Sequence, residues 1–330
     1  MQSKQDYTQS LEKPLVSFIL TYYNQPVGML CECIDSILNL SIRDFEREII
    51  VVDDGSQTSP INDLLRYGDD IIYLRKSNGG VSTARNMGMA MASGKFIQLV
   101  DSDDRLLQAP YEHCLDIARF NNADMVMYDF TNQPKADLNY EDQGPTTGSE
   151  LMRNQNIHGT ACCYLFSQAI RGDLQFTPGI HYCEDEEFTA QLLLRAESLH
   201  TTTAKAYYYR ENADSATHQT SLRSTIRRLS DARTVISRLN ALTDHLPNND
   251  RIALQRRIAQ LTMDYLYNII RLTNSRHYLE RKIEGLRREG LFPLPDYNYT
   301  TKYTWFRRMT NSPKGLSLLM RLIPLIQKER

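Results

Sequence analysis

Three apolar runs near the start of the chain each stop abruptly in polar side chains, and nothing else in the sequence restricts the fold as much. Leu15–Leu20 ends in Thr21-Tyr22-Tyr23-Asn24, Glu48–Val52 ends in Asp53-Asp54-Gly55-Ser56, and Phe96–Val100 ends in Asp101-Ser102-Asp103-Asp104. Short apolar runs bounded by polar residues read as buried strands. A further run, Ile71–Leu74, lies between the second and the third. Helical patterns from Pro26 to near Leu40 and from Ser82 to Ala92 alternate with these strands. Short strand–helix–strand connections imply a largely parallel, right-handed α/β sheet of the doubly wound, Rossmann-like kind. In such a sheet the C-terminal strand tips lie side by side and line the ligand crevice.

The chemistry of the tips follows from their residue types. An aromatic such as Tyr23 can stack on a base, and a carboxylate such as Asp54 can accept from a ring N–H or a ribose hydroxyl. Gly79-Gly80 allows close approach of backbone to a ligand. The acids Asp101, Asp103 and Asp104 repel one another, and a divalent cation bridging to phosphate oxygens offsets this, because hard cations prefer carboxylate oxygen. A solvated acidic turn is the plainer account of each motif taken singly, and Asp53-Asp54-Gly55-Ser56 reads equally well as a tight turn. An EF-hand is excluded by Arg105 and Leu106 at ligand and glycine positions. A Walker loop is excluded by the glycine spacing of Gly88 to Lys95 and by Phe96. The first strand is followed by no Gly-x-Gly-x-x-Gly, which argues against a dinucleotide-dependent dehydrogenase.

Taken together, Val16–Asn24, Ile49–Ser56, Asn78–Gly88 (Asn-Gly-Gly-Val-Ser-Thr-Ala-Arg-Asn-Met-Gly) and Leu99–Asp104 resemble, in order and spacing, the family 2 nucleotide-sugar glycosyltransferases of the GT-A fold. The resemblance covers roughly Leu15 to Arg210. It implies a nucleotide-sugar donor, most simply a UDP-sugar, with Thr21, Tyr23 and Asp54 at the nucleobase. Asn24, Asp53, Asn78, Gly80, Arg85 and Asp101 complete the nucleotide site. It also implies Mn or Mg, with Asp103 as the direct ligand, Asp104 second and Asp101 shared with ribose and diphosphate. Arg85 pairs either with phosphate or with a carboxylate of its own fold. Matched position by position, Asp185 is the catalytic base and Glu184 a supporting or acceptor-binding acid. Acids in a first helical turn also have a purely structural use, because they complement the helix dipole, and this accounts for Glu186 and Glu187. His158–Tyr164 departs from the pattern of many relatives. His158, His181 and His218 read as loop or surface residues, with His218 within reach of a diphosphate. Tyr207–Arg210, followed by Ser215, again resembles the family.

The remaining chain is read by periodicity. Ala109–Phe120 is a helix and Asp124–Tyr128 a strand, Thr131–Gly148 a loop, and Ser149 the cap of the next helix. Apolar spacing predicts helices over Leu222–Leu239, Ile252–Leu272 and Tyr278–Leu286. The division expected is a polar tail over 1–14, a transferase domain over 15–220 with a donor half to about 105 and an acceptor half beyond it, and a helical region over 221–330. The stretch Tyr303–Arg330 mixes Trp305, Leu318, Leu322 and Leu325 with Arg308, Lys314, Arg321, Lys328 and Arg330. Such a basic amphipathic tail suits an anionic membrane surface, and equally a helix that closes the core or a homodimer contact.

With 41% hydrophobic and 24% charged residues the composition is that of a globular protein, and a net charge of -2 argues against a nucleic-acid partner. The six cysteines form no Cys-x-x-Cys pair, which suits reduced thiols in the cytoplasm. No apolar leader or membrane-length apolar run is visible, so the expected location is cytoplasmic, peripheral on the inner membrane face. The sequence thus points to a metal-dependent, inverting transfer of a hexosyl or N-acetylhexosaminyl group to a glycan or lipid-linked acceptor for surface polysaccharide. A nucleotide-sugar-binding protein without transfer activity and a helical, membrane-docked scaffold are the readings from other classes.

Overall fold

The computed structural model describes residues 13–135, 137–211 and 221–326. Ser215 and His218 lie outside the described residues, as do Lys328 and Arg330 of the basic tail. The elements run β1 (Val16–Tyr22), α1 (Val27–Leu38), β2 (Arg47–Asp53), α2 (Ile61–Leu64), β3 (Ile71–Arg75), α3 (Val81–Met91), β4 (Phe96–Asp101), β5 (Arg105–Leu106), α4 (Gln108–Phe120) and β6 (Met125–Thr131). They continue with β7 (Asp142–Thr146), α5 (Gly148–Asn154), β8 (Tyr164–Ser167), α6 (Gln168–Arg171), α7 (Glu184–Leu193) and β9 (Leu199–Tyr208). The C-terminal helices are α8 (Leu222–Leu242), α9 (Asn248–Thr273), α10 (Arg276–Arg288), α11 (Thr301–Thr310) and α12 (Pro313–Ile326).

The chain divides into two compact units. The first comprises 1–144, 162–178 and 200–210, and the second 145–161, 179–199 and 211–330. The stretch 179–199, which carries α7, therefore belongs with the C-terminal helices rather than with the strands that precede it.

The first unit is built on a sheet of order β3-β2-β1-β4-β8-β6-β9-β5, with β7 beside β9. β1 pairs in parallel with β2 and β4, and β2 with β3. The sense then reverses, for β8 is antiparallel to both β4 and β6, and β5 is antiparallel to β9. The parallel half is the part expected from strand–helix alternation. Its central strands are apolar throughout, as strands covered on both faces must be: Phe18, Ile19, Leu20, Ile50, Val51 and Val52 are all fully buried. Gly88 lets α3 lie against β1, because a Cβ there would come within 2.3 Å of the Ile19 side chain.

The second unit is helical. Its core joins Ala190 of α7 to Leu229, Ile236 and Leu239 of α8, Leu254, Ile258, Leu266 and Ile270 of α9, and Leu279, Ile283 and Leu286 of α10. Arg256 of α9, buried, donates to the carbonyls of Met152 (2.7 Å) and Gln155 (2.9 Å) and so satisfies the C-terminal end of α5. The cap of α5 is not Ser149. Thr147 accepts from the Glu150 N–H, and the Ser149 hydroxyl donates to Asp250 at 2.6 Å instead. Leu319 and Ile323 of α12 and Phe306 of α11 enter the core, while Leu318, Leu322, Leu325 and Trp305 are exposed. The C-terminal stretch therefore closes the core with one face and leaves the other uncovered. No helix among the described residues is long and apolar enough to cross a membrane.

Candidate functional site

The register of the parallel strands brings the polar tips level. Thr21 lies opposite Val52 on one side and Asp101 on the other, and Tyr22 is opposite Asp53, which in turn is opposite Arg75. Beyond the tip of β1 the chain turns through Tyr23, exposed, and Asn24, which adopts a left-handed backbone (φ 53°). Asn24 fastens the neighbouring tip: its side-chain oxygen accepts from the Gln57 N–H at 2.8 Å, and its own N–H donates to the Ser56 hydroxyl at 3.0 Å. Tyr23 is thus held out from the sheet with its ring available to a planar ligand.

The two acids after β2 are both drawn into the fold. Asp53, fully buried, accepts from the Ser56 N–H at 2.8 Å and from the Tyr73 hydroxyl at 2.9 Å. Asp54, nearly as buried, takes four donors: Lys76 Nζ at 2.6 Å, the Gly79 N–H at 3.0 Å, the Gly80 N–H at 2.8 Å and Asn78 Nδ2 at 3.2 Å. A carboxylate offers about four acceptor positions, so Asp54 organises the loop 76–80. Gly55 makes this packing possible, since it has φ 77° and a Cβ there would lie 2.6 Å from the Asn78 nitrogen. Lys76 is a site residue that sequence reasoning missed, because a lone lysine after a strand forms no pattern.

The acidic turn after β4 sorts its three carboxylates by environment. Asp104 is buried and faces inward, accepting from the Tyr207 hydroxyl and from the Arg210 N–H, each at 2.8 Å. Burial, with Asp101 and Asp103 adding like charge, pushes its carboxyl up to about 8. Asp101, partly exposed, is paired with the buried guanidinium of Arg85 at 3.0 Å. Arg85 also lies 5.1 Å from the Phe176 ring. Asp103 is likewise partly accessible, and burial together with Asp101 raises its carboxyl from its ordinary value. Arg210 Nε holds the Asp103 carbonyl at 2.8 Å, and Gln25 contacts the Ser102 hydroxyl. Gln25 was not singled out in the sequence. Tyr207 and Arg210 stood in a segment noted only for its resemblance.

Among the described residues no three or more His, Cys, Asp or Glu side chains are gathered as a metal site of their own. A divalent cation that takes one or two carboxylates and fills its shell with substrate phosphates requires no such group. Asp101 and Asp103 fit that use, being hard oxygen donors with partial access. Asp104 has both its oxygens committed to the fold.

In the second unit, α7 begins at Glu184 after Cys183, whose backbone is left-handed (φ 66°). Its first turn holds Glu184, Asp185, Glu186 and Glu187. Glu186 pairs with Arg257 of α9, and Gly159 admits that carboxylate, since a Cβ there would approach Glu186 Oε1 to 2.2 Å. Glu187, buried, pairs with Arg238 of α8. Glu184 and Asp185 are partly exposed, and Asp185 Oδ2 accepts from the Ala161 N–H at 3.1 Å. The loop before the helix is fixed by Asp231 of α8, which accepts from the N–H groups of His181 (2.9 Å) and Tyr182 (3.3 Å). Asp231, Arg238 and Arg257 come from helices for which the sequence offered no motif.

A parallel sheet whose polar tips present an aromatic, an acid-anchored Gly-Gly loop and an acidic turn, and which then reverses sense, defines a GT-A fold. Residues 17–174 match the model of Glycosyl transferase family 2. The sequence is 31% identical over 224 residues to an uncharacterized glycosyltransferase, EpsJ, of Bacillus subtilis (strain 168), covering 62% of this chain and 63% of that protein. It is 23% identical over 205 residues to the poly(ribitol-phosphate) beta-N-acetylglucosaminyltransferase TarP of Staphylococcus aureus (strain N315), covering 58% and 62% respectively. The match thus spans less than two thirds of either relative. The crystal structure of S. aureus TarS 1-349 in complex with UDP-GlcNAc is similar in fold, with a TM-score of 0.69 at 17% identity over 95% of this chain and 91% of that one.

Proposed function

We propose that the protein is an inverting, metal-dependent glycosyltransferase that uses a UDP-sugar, with N-acetylglucosamine the favoured sugar, to extend a glycan or lipid-linked polymer of the cell surface. TarP is an N-acetylglucosaminyltransferase and TarS was crystallised with UDP-GlcNAc, which supports the choice of donor. The observation that carries the reading is the division of labour along the first turn of α7. Glu186 and Glu187 are neutralised by Arg257 and Arg238, whereas Asp185 is oriented by a backbone N–H and keeps partial access to solvent.

In the proposed reaction the acceptor oxygen attacks the anomeric carbon as the bond from that carbon to the diphosphate oxygen breaks. The electron pair leaves with the diphosphate, and the hydroxyl proton passes to the Asp185 carboxylate. Glu184 contributes acceptor binding beside it. Tyr23 stacks on the nucleobase, with Thr21, Asn24 and the loop ordered by Asp53 and Asp54 (Asn78 to Gly80) shaping the nucleotide pocket. Arg85 sets the position of Asp101. Asp103 and Asp101 are the residues that would hold a Mn or Mg ion, which would supply positive charge for the leaving diphosphate.

Asp185→Asn is expected to retain UDP protection in thermal unfolding and to lose sugar transfer by about a thousandfold or more; transfer at the wild-type rate would remove the base assignment. Asp103→Ala is expected to lose the metal-dependent part of UDP binding, read as the difference in melting temperature with and without Mn. We further propose that the uncovered face of α12, with Leu318, Leu322 and Leu325 near Lys314 and Arg321, rests on an anionic bilayer. Leu322→Glu is then expected to abolish sedimentation with phosphatidylglycerol vesicles.

A further inference from the structure

A cavity of about 330 Å³ in the second unit is lined by Tyr182, Cys183, Arg228, Leu229, Ala232, Tyr265, Asn268 and Arg271. Two of its lining residues, Tyr182 and Cys183, immediately precede Glu184 and Asp185 in the chain. Two guanidinium groups reach it. Arg228 lies over the Tyr182 ring at 5.0 Å. Arg271 makes no hydrogen bond or ion pair among the described residues, and its Nε is buried without a partner. Three acids act on Cys183: Glu184, the first residue of α7, Asp264 and Asp231. Asp231 accepts from the amides of His181 and Tyr182, and Asp264 accepts from the Tyr303 hydroxyl at 2.9 Å. Asn268 adds an amide, and Tyr265, itself buried, has a hydroxyl with no hydrogen-bond partner.

A buried donor on a cationic side chain left without an acceptor is costly, and a bound anion supplies one. A fork of N–H donors matches phosphate oxygens geometrically. We infer that this cavity is a phosphate-binding subsite for the acceptor, holding a phosphodiester of the polymer on the approach to Asp185. The pocket rather than the base selects for a phosphate-bearing chain. This rests on the acceptor-side role proposed for Asp185.

The test uses the full chain with two probes, inorganic phosphate and a short glycerol-phosphate oligomer, each titrated by calorimetry in chloride buffer. The oligomer is expected to bind more tightly than free phosphate. Arg271→Met is expected to weaken both about tenfold, and Arg271→Lys to weaken them less. In transfer assays Arg271→Met is expected to raise KM for a phosphate-bearing acceptor and leave KM for a neutral glycan acceptor unchanged. Far-UV circular dichroism and the thermal transition of the full chain report that each variant is folded. Equal binding of both probes by wild type and Arg271→Met overturns the subsite, and binding of free phosphate but not of the oligomer overturns its assignment to the acceptor. Transfer that survives Asp185→Asn removes the base while leaving the phosphate titrations intact, so the two failures are told apart.

Discussion

Asp54 shows what a single carboxylate can be asked to do. Its four donors come from one loop, and its side chain is almost wholly buried. Asp54→Ala would leave the Gly79 and Gly80 N–H groups without an acceptor and Lys76 without its countercharge, although its ammonium keeps the Ser77 carbonyl and the Thr83 hydroxyl, so a loss of about 2 kcal/mol is expected in urea unfolding. Asp264 gives a prediction of a different kind. Burial lifts its carboxyl above the ordinary value of 3.8 despite the Tyr303 hydroxyl and Arg257, so the native state keeps this proton to higher pH than the unfolded chain does. Its contribution is therefore full below the unfolded value and is lost as pH rises through the folded one. Asp264→Asn keeps the Tyr303 hydrogen bond and should flatten that part of the pH–stability profile, measured by denaturant unfolding across a pH series. The residues in question also mark what the sequence could and could not convey. Asp53, Asp54, Asp101, Asp103 and Asp104 were all conspicuous as acids at strand ends. Which oxygens the fold consumes depends on Lys76, Tyr73, Tyr207 and Arg210, and those partners lie 20 or more residues away from the acids they hold.

At the level of elements, α7 is braced from behind. Arg257 of α9 is almost fully buried against Glu186, so Arg257→Met is expected to cost about 3 kcal/mol by leaving that carboxylate unpaired. Much of the loss should return in the double variant with Glu186→Gln, and a double-mutant cycle measures the coupling. Thr147→Ala should cost about 1 kcal/mol as the loss of a helix cap. Ser149→Ala would remove the contact to Asp250 instead. The sequence offered Ser149 as the cap because both residues precede the same apolar positions, and only the backbone decides which hydroxyl meets an orphan N–H. The elements themselves were legible wherever periodicity was strong: β1, β2, β4, α3, α4, α7, α8 and α9 all fall within a few residues of their expected places. The reversal at β8 was not legible, since an apolar strand carries no mark of its direction.

For the whole molecule, the question is what the C-terminal helices are for. Apolar spacing showed them only as a helical region over 221–330. In the structure, Ala190 on α7 shares one apolar core with α8, α9 and α10. A chain ended after Arg210 is therefore expected to lose protection of 179–199 in hydrogen exchange, because the face of α7 would be exposed to water. Retention of native protection there would show that α7 is held without those helices.

The threading of the chain has a consequence for how it is made. It passes from one unit to the other after residues 144, 161, 178, 199 and 210. On a ribosome, the strand-built unit cannot close until its last piece, 200–210, has emerged, and 145–161 and 179–199 must wait longer still for the helices that cover them. A newly synthesised half-chain would therefore carry bare apolar surface, and exchanging one unit with that of a relative would require several coordinated splices rather than one.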